Sequence, residues 1–291
     1  MKNGLAIWHY GHRTPVENAE FFISQGFDSV SILGMNMIEV CRDEEQARAL
    51  GELVKRSGVI LTVHYKLPSS ASDADVSEFK EAIDLFGAWQ KRYGGITNLS
   101  FDATMHARED GLASYIEYTI ENVPDCMVAV EDFGVTEREL AETLYLVEKT
   151  DRFGYLLDLG HMLVRLKGDY VGQSKSFTNS PVLECEPSEN PDRNSFLKAF
   201  LSKKAPIVEM HLHNNDGLRD LHNFLDNGVM NVDEVAAAVH AFGFDGVMTI
   251  ESAPGYTFKC YGKDADDGIM RTFDIWKKAY AKAEKENWTK N

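Results

Sequence analysis

The chain has 291 residues, 44% of them hydrophobic and 11% aromatic, enough to build a substantial core. Acidic residues outnumber basic ones by 46 to 30, giving a formal charge of −16 and an isoelectric point near 5.0. Such a surface argues against a nucleic-acid partner, whose phosphates demand clustered lysine and arginine, while a few local cations would still suffice for a small anionic substrate.

Met1-Lys2-Asn3-Gly4 runs into a short apolar segment, Leu5–His9, with neither the long apolar region nor the cleavage site of a signal peptide. We read this segment as a first strand. Thr14-Pro15 then opens a helical pattern over Val16–Gln25, an N-cap followed by proline at the first helical position. Gly26 supplies the left-handed residue needed to leave that helix before a strand at Ser29–Leu33. The alternation continues with helix Glu44–Arg56, strand Val59–Tyr65, helix Ser77–Tyr93, strand Ile96–Phe101 and helix Leu112–Asn122. Strand Met127–Glu131, helix Glu137–Lys149 and strand Gly154–Asp158 follow. After a break come helix Arg193–Leu201, strand Ile207–His213, helix Val232–Phe242 stopped by Gly243, strand Val247–Glu251 and helix Asp267–Lys285.

Strands alternating with helices predict a parallel sheet, and this many units favour a closed (β/α)8 barrel over a doubly wound sheet. A doubly wound nucleotide-binding fold would carry a glycine-rich loop after the first strand, and none stands there. We expect one barrel domain over residues 1–291, with a long polar loop at about 163–192 over the active-site face. The loop residues GQSKSFTNSP have no helical or strand period; a passive insertion is one reading, a substrate-covering lid with Tyr170 and Phe177 folding inward the other. Cys41, Cys126, Cys185 and Cys260 lie far apart and form no CxxC pair, which argues against structural zinc or a disulfide framework. No apolar stretch approaches the length of a membrane-spanning helix, so the expected setting is the cytoplasm, without a membrane partner.

The strand ends carry the chemistry. In a barrel of this kind the C-terminal ends of the strands converge on one bowl. Here they deliver His64, then Glu131, Asp158 with His161, His211 and His213, Asp220 and His222 just beyond, and Glu251. Each has a bland reading alone: a helix cap, a solvated ion pair, a satisfied core histidine, a loop hydrogen bond. Together they place carboxylate and imidazole repeatedly on one rim, where burial is costly unless the groups are paired or hold a metal. A carboxylate-rich set without thiolate suits manganese, magnesium, cobalt or zinc in an open site, manganese first. Trp8, His9, Tyr10, Tyr65, Lys66 and Phe101 are candidates for a sugar-binding wall, with packing as the alternative.

In strand order the runs VHY, VED, DLGH, HLHNND, DLH and TIES resemble the xylose isomerase-like TIM barrel superfamily, which includes sugar phosphate isomerases and epimerases and the endonuclease IV branch. The resemblance implies one divalent metal held by Glu131, Asp158, His211 or His213, and Glu251. Aligning the His-Leu pair selects His211, whereas spacing to Asp216 selects His213 and places Arg219 at a substrate-binding arginine; we take His211. It also implies that His161 touches substrate or a further metal, and that Asp220 and His222 correspond to additional zinc ligands of the nuclease branch. Two departures stand out: the fourth strand ends Leu99-Ser100-Phe101-Asp102 without that branch's histidine, and Asp132-Phe133-Gly134 lacks the lysine motif of true xylose isomerases. A nuclease and a hydride-shift aldose isomerase are thereby disfavoured. The implied activity is metal-dependent isomerisation or epimerisation of a sugar-like hydroxy-ketone through an enediolate, with Glu131 and Glu251 moving the proton and His161 beside them. Dehydration of a polyol or keto-cyclitol is the alternative, and a non-catalytic sugar- or metal-binding barrel a third. The sugar, its phosphorylation and any homo-oligomer stay open.

Overall fold

The computed structural model describes residues 1–8, 12–131, 137–161, 207–217, 219–257 and 259–286. His9, the 163–192 loop and the expected helix at 193–201 lie outside them. Among the described residues the strands are β1 (Lys2–Ile7), β2 (Ser29–Leu33), β3 (Ile60–Lys66), β4 (Ile96–Asp102), β5 (Met127–Glu131), β6 (Phe153–Asp158), β7 (Ile207–Leu212) and β8 (Val247–Ile250). All pair in parallel and in sequence order, and β8 pairs back onto β1, closing the barrel. The expected (β/α)8 architecture is present.

The helices are α1 (Pro15–Ser24), α2 (Gly34–Arg42), α3 (Glu44–Ser57), α4 (Asp73–Tyr93), α5 (Met105–Asp110), α6 (Leu112–Asn122) and α7 (Glu137–Lys149). They continue as α8 (Val232–Phe242), α9 (Pro254–Thr257) and α10 (Gly262–Lys285). Local chemistry sets their ends. Thr14 and Glu17 form a reciprocal capping box at α1, and Asp43 accepts the Glu45 and Gln46 amide hydrogens at α3. Gly243 closes α8 in the left-handed region at φ 77°, and Gly26 follows α1 at φ 97°.

Strand alternation divides the residues between two faces. Outward side chains such as Leu61, Val63, Leu99, Val128 and Val130 are fully buried against the helix layer, which contributes Phe22, Phe79, Phe86 and Ile116. Each such side chain contributes about 1.5–3 kcal/mol of burial free energy. Arg13 ties the two ends of the chain together, its guanidinium donating to both Asp266 oxygens at 3.0 and 2.7 Å. No described helix is long and apolar enough to cross a membrane.

Candidate metal centre and active site

Inward-facing positions at the strand ends bring the polar side chains together. Asp158, His211 and His213 are wholly buried, and Glu131 and Glu251 nearly so. His211 Nδ1 lies 3.0 Å from Glu251 Oε2 and 3.9 Å from Asp158 Oδ2. Single donor atoms of Glu131, Asp158 and His211 fall within 4.8 Å of one another, as do those of His64, His211 and Glu251. Glu131, Asp158 and His211 thus form one group that Glu251 adjoins through His211, while Asp158, His213 and Glu251 form another.

A second group adjoins the first. His161, His213, Asp220 and His222 also offer donor atoms within 4.8 Å of one another. Asp220 Oδ2 is 3.1 Å from both His161 Nε2 and His222 Nε2. His213 Nε2 lies 3.1 Å from Asp158 Oδ2, so that histidine leans on the first group while its ring stacks on His222 with centroids 4.0 Å apart. Gly160 makes this possible: a Cβ there would come within 2.3 Å of the His213 ring. His222 has φ 48°, a left-handed conformation uncommon outside glycine, and the surrounding structure holds it. Its carbonyl accepts from Ala253 N–H at 2.9 Å, and Asn214 pairs with neighbouring Asn223 through both backbone groups.

His64 completes the rim. Nε2 faces Glu131 Oε2 at 3.2 Å and Asp102 Oδ1 at 3.5 Å, while Nδ1 contacts Ser100 Oγ at 2.9 Å. His161 Nδ1 stands 2.9 Å from Glu131 Oε1, and its backbone N–H donates to Asp158 Oδ1 at 2.7 Å.

The carboxylates and imidazoles of the site shift one another's protonation. Burial opposes charge on His64, yet the Asp102 and Glu131 carboxylates outweigh it and push the ring up to about 10. Burial likewise opposes charge on His222 and His211, but Glu251 with Asp220 pushes His222 up to about 9, and Glu251 with Glu209 holds His211 well above its ordinary value. Burial raises the carboxylates, but His161 and His213 bring Asp158 well below the usual range, and His211 and His222 lower Glu251. A crowd of buried carboxylates and imidazoles of this kind fits a divalent cation as a substitute for those protons. Buried His213 Nδ1 and Asp220 Oδ1 have no hydrogen-bond partner among the described residues, which also fits ligand atoms awaiting an ion.

A cavity of about 610 Å3 opens over the site. Glu131, His161, Asp220, His222 and Glu251 line one side; Trp8, Leu33, Met35, Tyr65, Lys66 and Ala103 also face it. Trp8, Tyr65 and Lys66 are thus where the sequence reading puts a substrate wall. Phe101 of that wall and the implied substrate-binding arginine, Arg219, are elsewhere. Phe101 is fully buried and packs on Phe79 with ring centroids 5.8 Å apart, because alternation along β4 turns Ser100 and Asp102 inward and Phe101 outward. Arg219 is largely exposed and folds back on Asp216, its Nε and Nη2 donating to Oδ2 at 2.9 and 2.8 Å. Asp102, Arg108 and Glu209 are additions that the sequence reading missed. Asp102 and Glu209 were within reach, since both fall on the inward register shared with recognised neighbours; Arg108, buried against Glu139 from another helix, left no sequence signal.

A family model described as xylose isomerase-like TIM barrel matches residues 23–279. No curated protein matches the chain in sequence. Among solved structures, a putative xylose isomerase from Rhodospirillum rubrum superposes with a TM-score of 0.65 at 15% identity, covering 95% of this chain and 98% of that one. A D-tagatose 3-epimerase-like protein gives 0.61 at 17% identity, covering 98% and 99%. The probable 3-DHS dehydratase AsbF of Bacillus anthracis gives 0.61 at 16% identity, covering 94% and 98%. Identities this low speak for the fold alone, but the family match spans most of the chain, and the chain belongs to the xylose isomerase-like TIM barrel family.

Proposed function

We propose that the protein is a divalent-metal-dependent isomerase or epimerase of a sugar-like hydroxy-ketone. The observation that carries this reading is the pair Glu131 and Glu251: they come from different strands and line one cavity, Glu131 grouped with Asp158 and His211, and Glu251 beside His211. Glu131, Asp158, His211 and Glu251 would hold the ion, which supplies Lewis acidity to a carbonyl and its neighbouring hydroxyl. Glu131 and Glu251 approach the intervening carbon from different sides, one removing its proton and the other returning one. Return to the opposite face of the same carbon gives an epimer, and return to the adjacent carbon of the enediolate gives an isomer. Trp8 and Tyr65 offer an apolar wall to the sugar.

A specific observation favours a second reading, dehydration. His161 stands on the cavity wall between Glu131 and Asp220, placed to protonate a departing hydroxyl. Incubating Mn2+-loaded protein in D2O with D-fructose, D-tagatose and a keto-cyclitol, read by proton NMR, tests both. Solvent deuterium at the carbon beside the carbonyl supports proton transfer, and an unsaturated product selects dehydration. No exchange and no product across such a panel would leave the proposed activity without support.

Metal uptake at pH 7 should release on the order of one proton per ion, since imidazolium must become imidazole before it can ligate. The sign follows from the raised ring values. Imidazolium pairing contributes stability fully below the free-ring value of about 6.5 and loses it as pH rises through the folded values. Burial opposes charge on His211, the proposed ligand, yet Glu251 and Glu209 hold it well above its ordinary value. Affinity for Mn2+ should therefore climb as pH rises above 7 and that ring loses its proton. Calorimetry in buffers of different ionisation enthalpy measures the release; none at pH 7 would mean the rings are already neutral.

A further inference from the structure

One step below the candidate ligands, the barrel interior is polar where such barrels usually pack branched aliphatic side chains. At its centre stands Glu209, fully buried and on the same inward register of β7 as His211. The hydroxyls of Thr249 and Thr62 donate to its Oε1 at 2.6 and 3.1 Å, and Asn98 Nδ2 donates to Oε2 at 3.5 Å. A carboxylate so far from water is costly to keep, and nothing in the proton transfer proposed above uses it. Its ion-pair partner among the described residues is His211, whose Nε2 lies 3.7 Å from Oε1.

We infer that Glu209 is a positioning residue for the metal: it takes the Nε2 side of the His211 ring, so that Nδ1 faces Glu251 and Asp158 with its lone pair free. This rests on the reading of His211 as a ligand. Several observations support it. The two ring nitrogens face opposite groups, Nδ1 toward Glu251 and Nε2 toward Glu209, so one ring bridges the cavity and the barrel centre. Nε2 makes no hydrogen bond among the described residues, and the Glu209 carboxylate stands 3.7 Å from it as an ion-pair partner. The Thr62, Asn98 and Thr249 donors come from three other strands and hold the carboxylate in place beside the ring. Carboxylates behind metal-bound histidines set the ring tautomer and raise its basicity.

Mn2+ affinity, measured by electron paramagnetic resonance on the full-length protein, tests the inference. Glu209→Gln should weaken binding by roughly 10- to 100-fold, the usual effect of losing such a partner. The melting temperature of the metal-free variant should hold or rise, because a buried charge has been removed; a purely structural role would lower it together with the affinity. In a His211→Ala background the same change should have no further effect on residual Mn2+ binding. If Glu209→Gln does not fold, Glu209→Asp, which draws the carboxylate away from the ring, should show the same loss. Affinity within threefold of wild type in a folded variant, or an equal loss in the His211→Ala background, would overturn the inference while leaving the metal site standing. Wild-type protein that takes up no Mn2+ would overturn the metal reading, and this inference with it.

Discussion

Replacing Glu251 with glutamine is expected to lower turnover by roughly a hundredfold or more while the barrel stays folded. The amide is nearly isosteric and its oxygen can still face His211 Nδ1, which lies 3.0 Å from the carboxylate. It cannot carry a proton. Burial alone would raise Glu251, but the charges of His211 and His222 lower it, so at neutral pH it is the carboxylate that a general base must be. Because an amide is also a poorer metal ligand, the comparison belongs at saturating Mn2+, where a loss in kcat reports proton transfer and a loss of affinity is read separately. Solvent-deuterium exchange into a substrate ketose, followed by NMR, gives that rate directly. Near-normal exchange in the variant would assign the proton to another group, with Glu131 and His161 the next to test.

Asp158→Ala should do damage of another kind. The side chain is fully buried, faces His213 Nε2 at 3.1 Å and receives the His161 backbone N–H at 2.7 Å. Removing it takes a carboxylate from beside the His211 ring, which lies 3.9 Å away and is held well above its ordinary value, and breaking such a buried pair costs about 3–5 kcal/mol. The metal-free variant should lose that much in denaturant unfolding and retain no tight divalent ion. The effect has a pH signature. Burial raises Asp158, but His161 and His213 outweigh it and hold the folded carboxylate well below its ordinary value. Its contribution is therefore present above about pH 4, the value in the unfolded chain, and fades as pH falls toward the folded value. Variant and wild type should converge in acid and separate at neutral pH. A neutral-pH difference under about 1 kcal/mol would show that the histidines are satisfied without Asp158.

The barrel was legible because its signals repeat. Strands β2 and β5 and helices α6 and α8 fall where apolar periodicity puts them, and the other shared elements differ mainly at their ends. Helices α2 and α5 were not seen: α2 starts directly at the end of β2 behind Leu33, which caps it with no side chain, and α5 is six residues long. The rim was legible because carboxylate and imidazole at the ends of apolar strands have little to do in packing. Phe101 was misplaced by reading residue type without register; its neighbours Ser100 and Asp102 are the inward positions. Arg219 was misplaced because spacing alone does not reveal that Asp216, three residues back, captures its guanidinium. The same register rule, which puts His211 and His213 on one face, extends back along Glu-Met-His-Leu-His to Glu209. The left-handed backbone of His222 and the Arg108–Glu139 pair depend on contacts between distant segments, which no local pattern carries.

The central claim is that Glu131, Asp158, His211 and Glu251 hold one catalytic divalent ion. Anomalous diffraction from crystals grown with Mn2+ tests it most directly. The expected result is a strong manganese peak within about 2.0–2.3 Å of oxygen atoms from Glu131, Asp158 and Glu251 and of His211 Nδ1. No peak among these four side chains, in protein that is folded and never exposed to chelator, would contradict it.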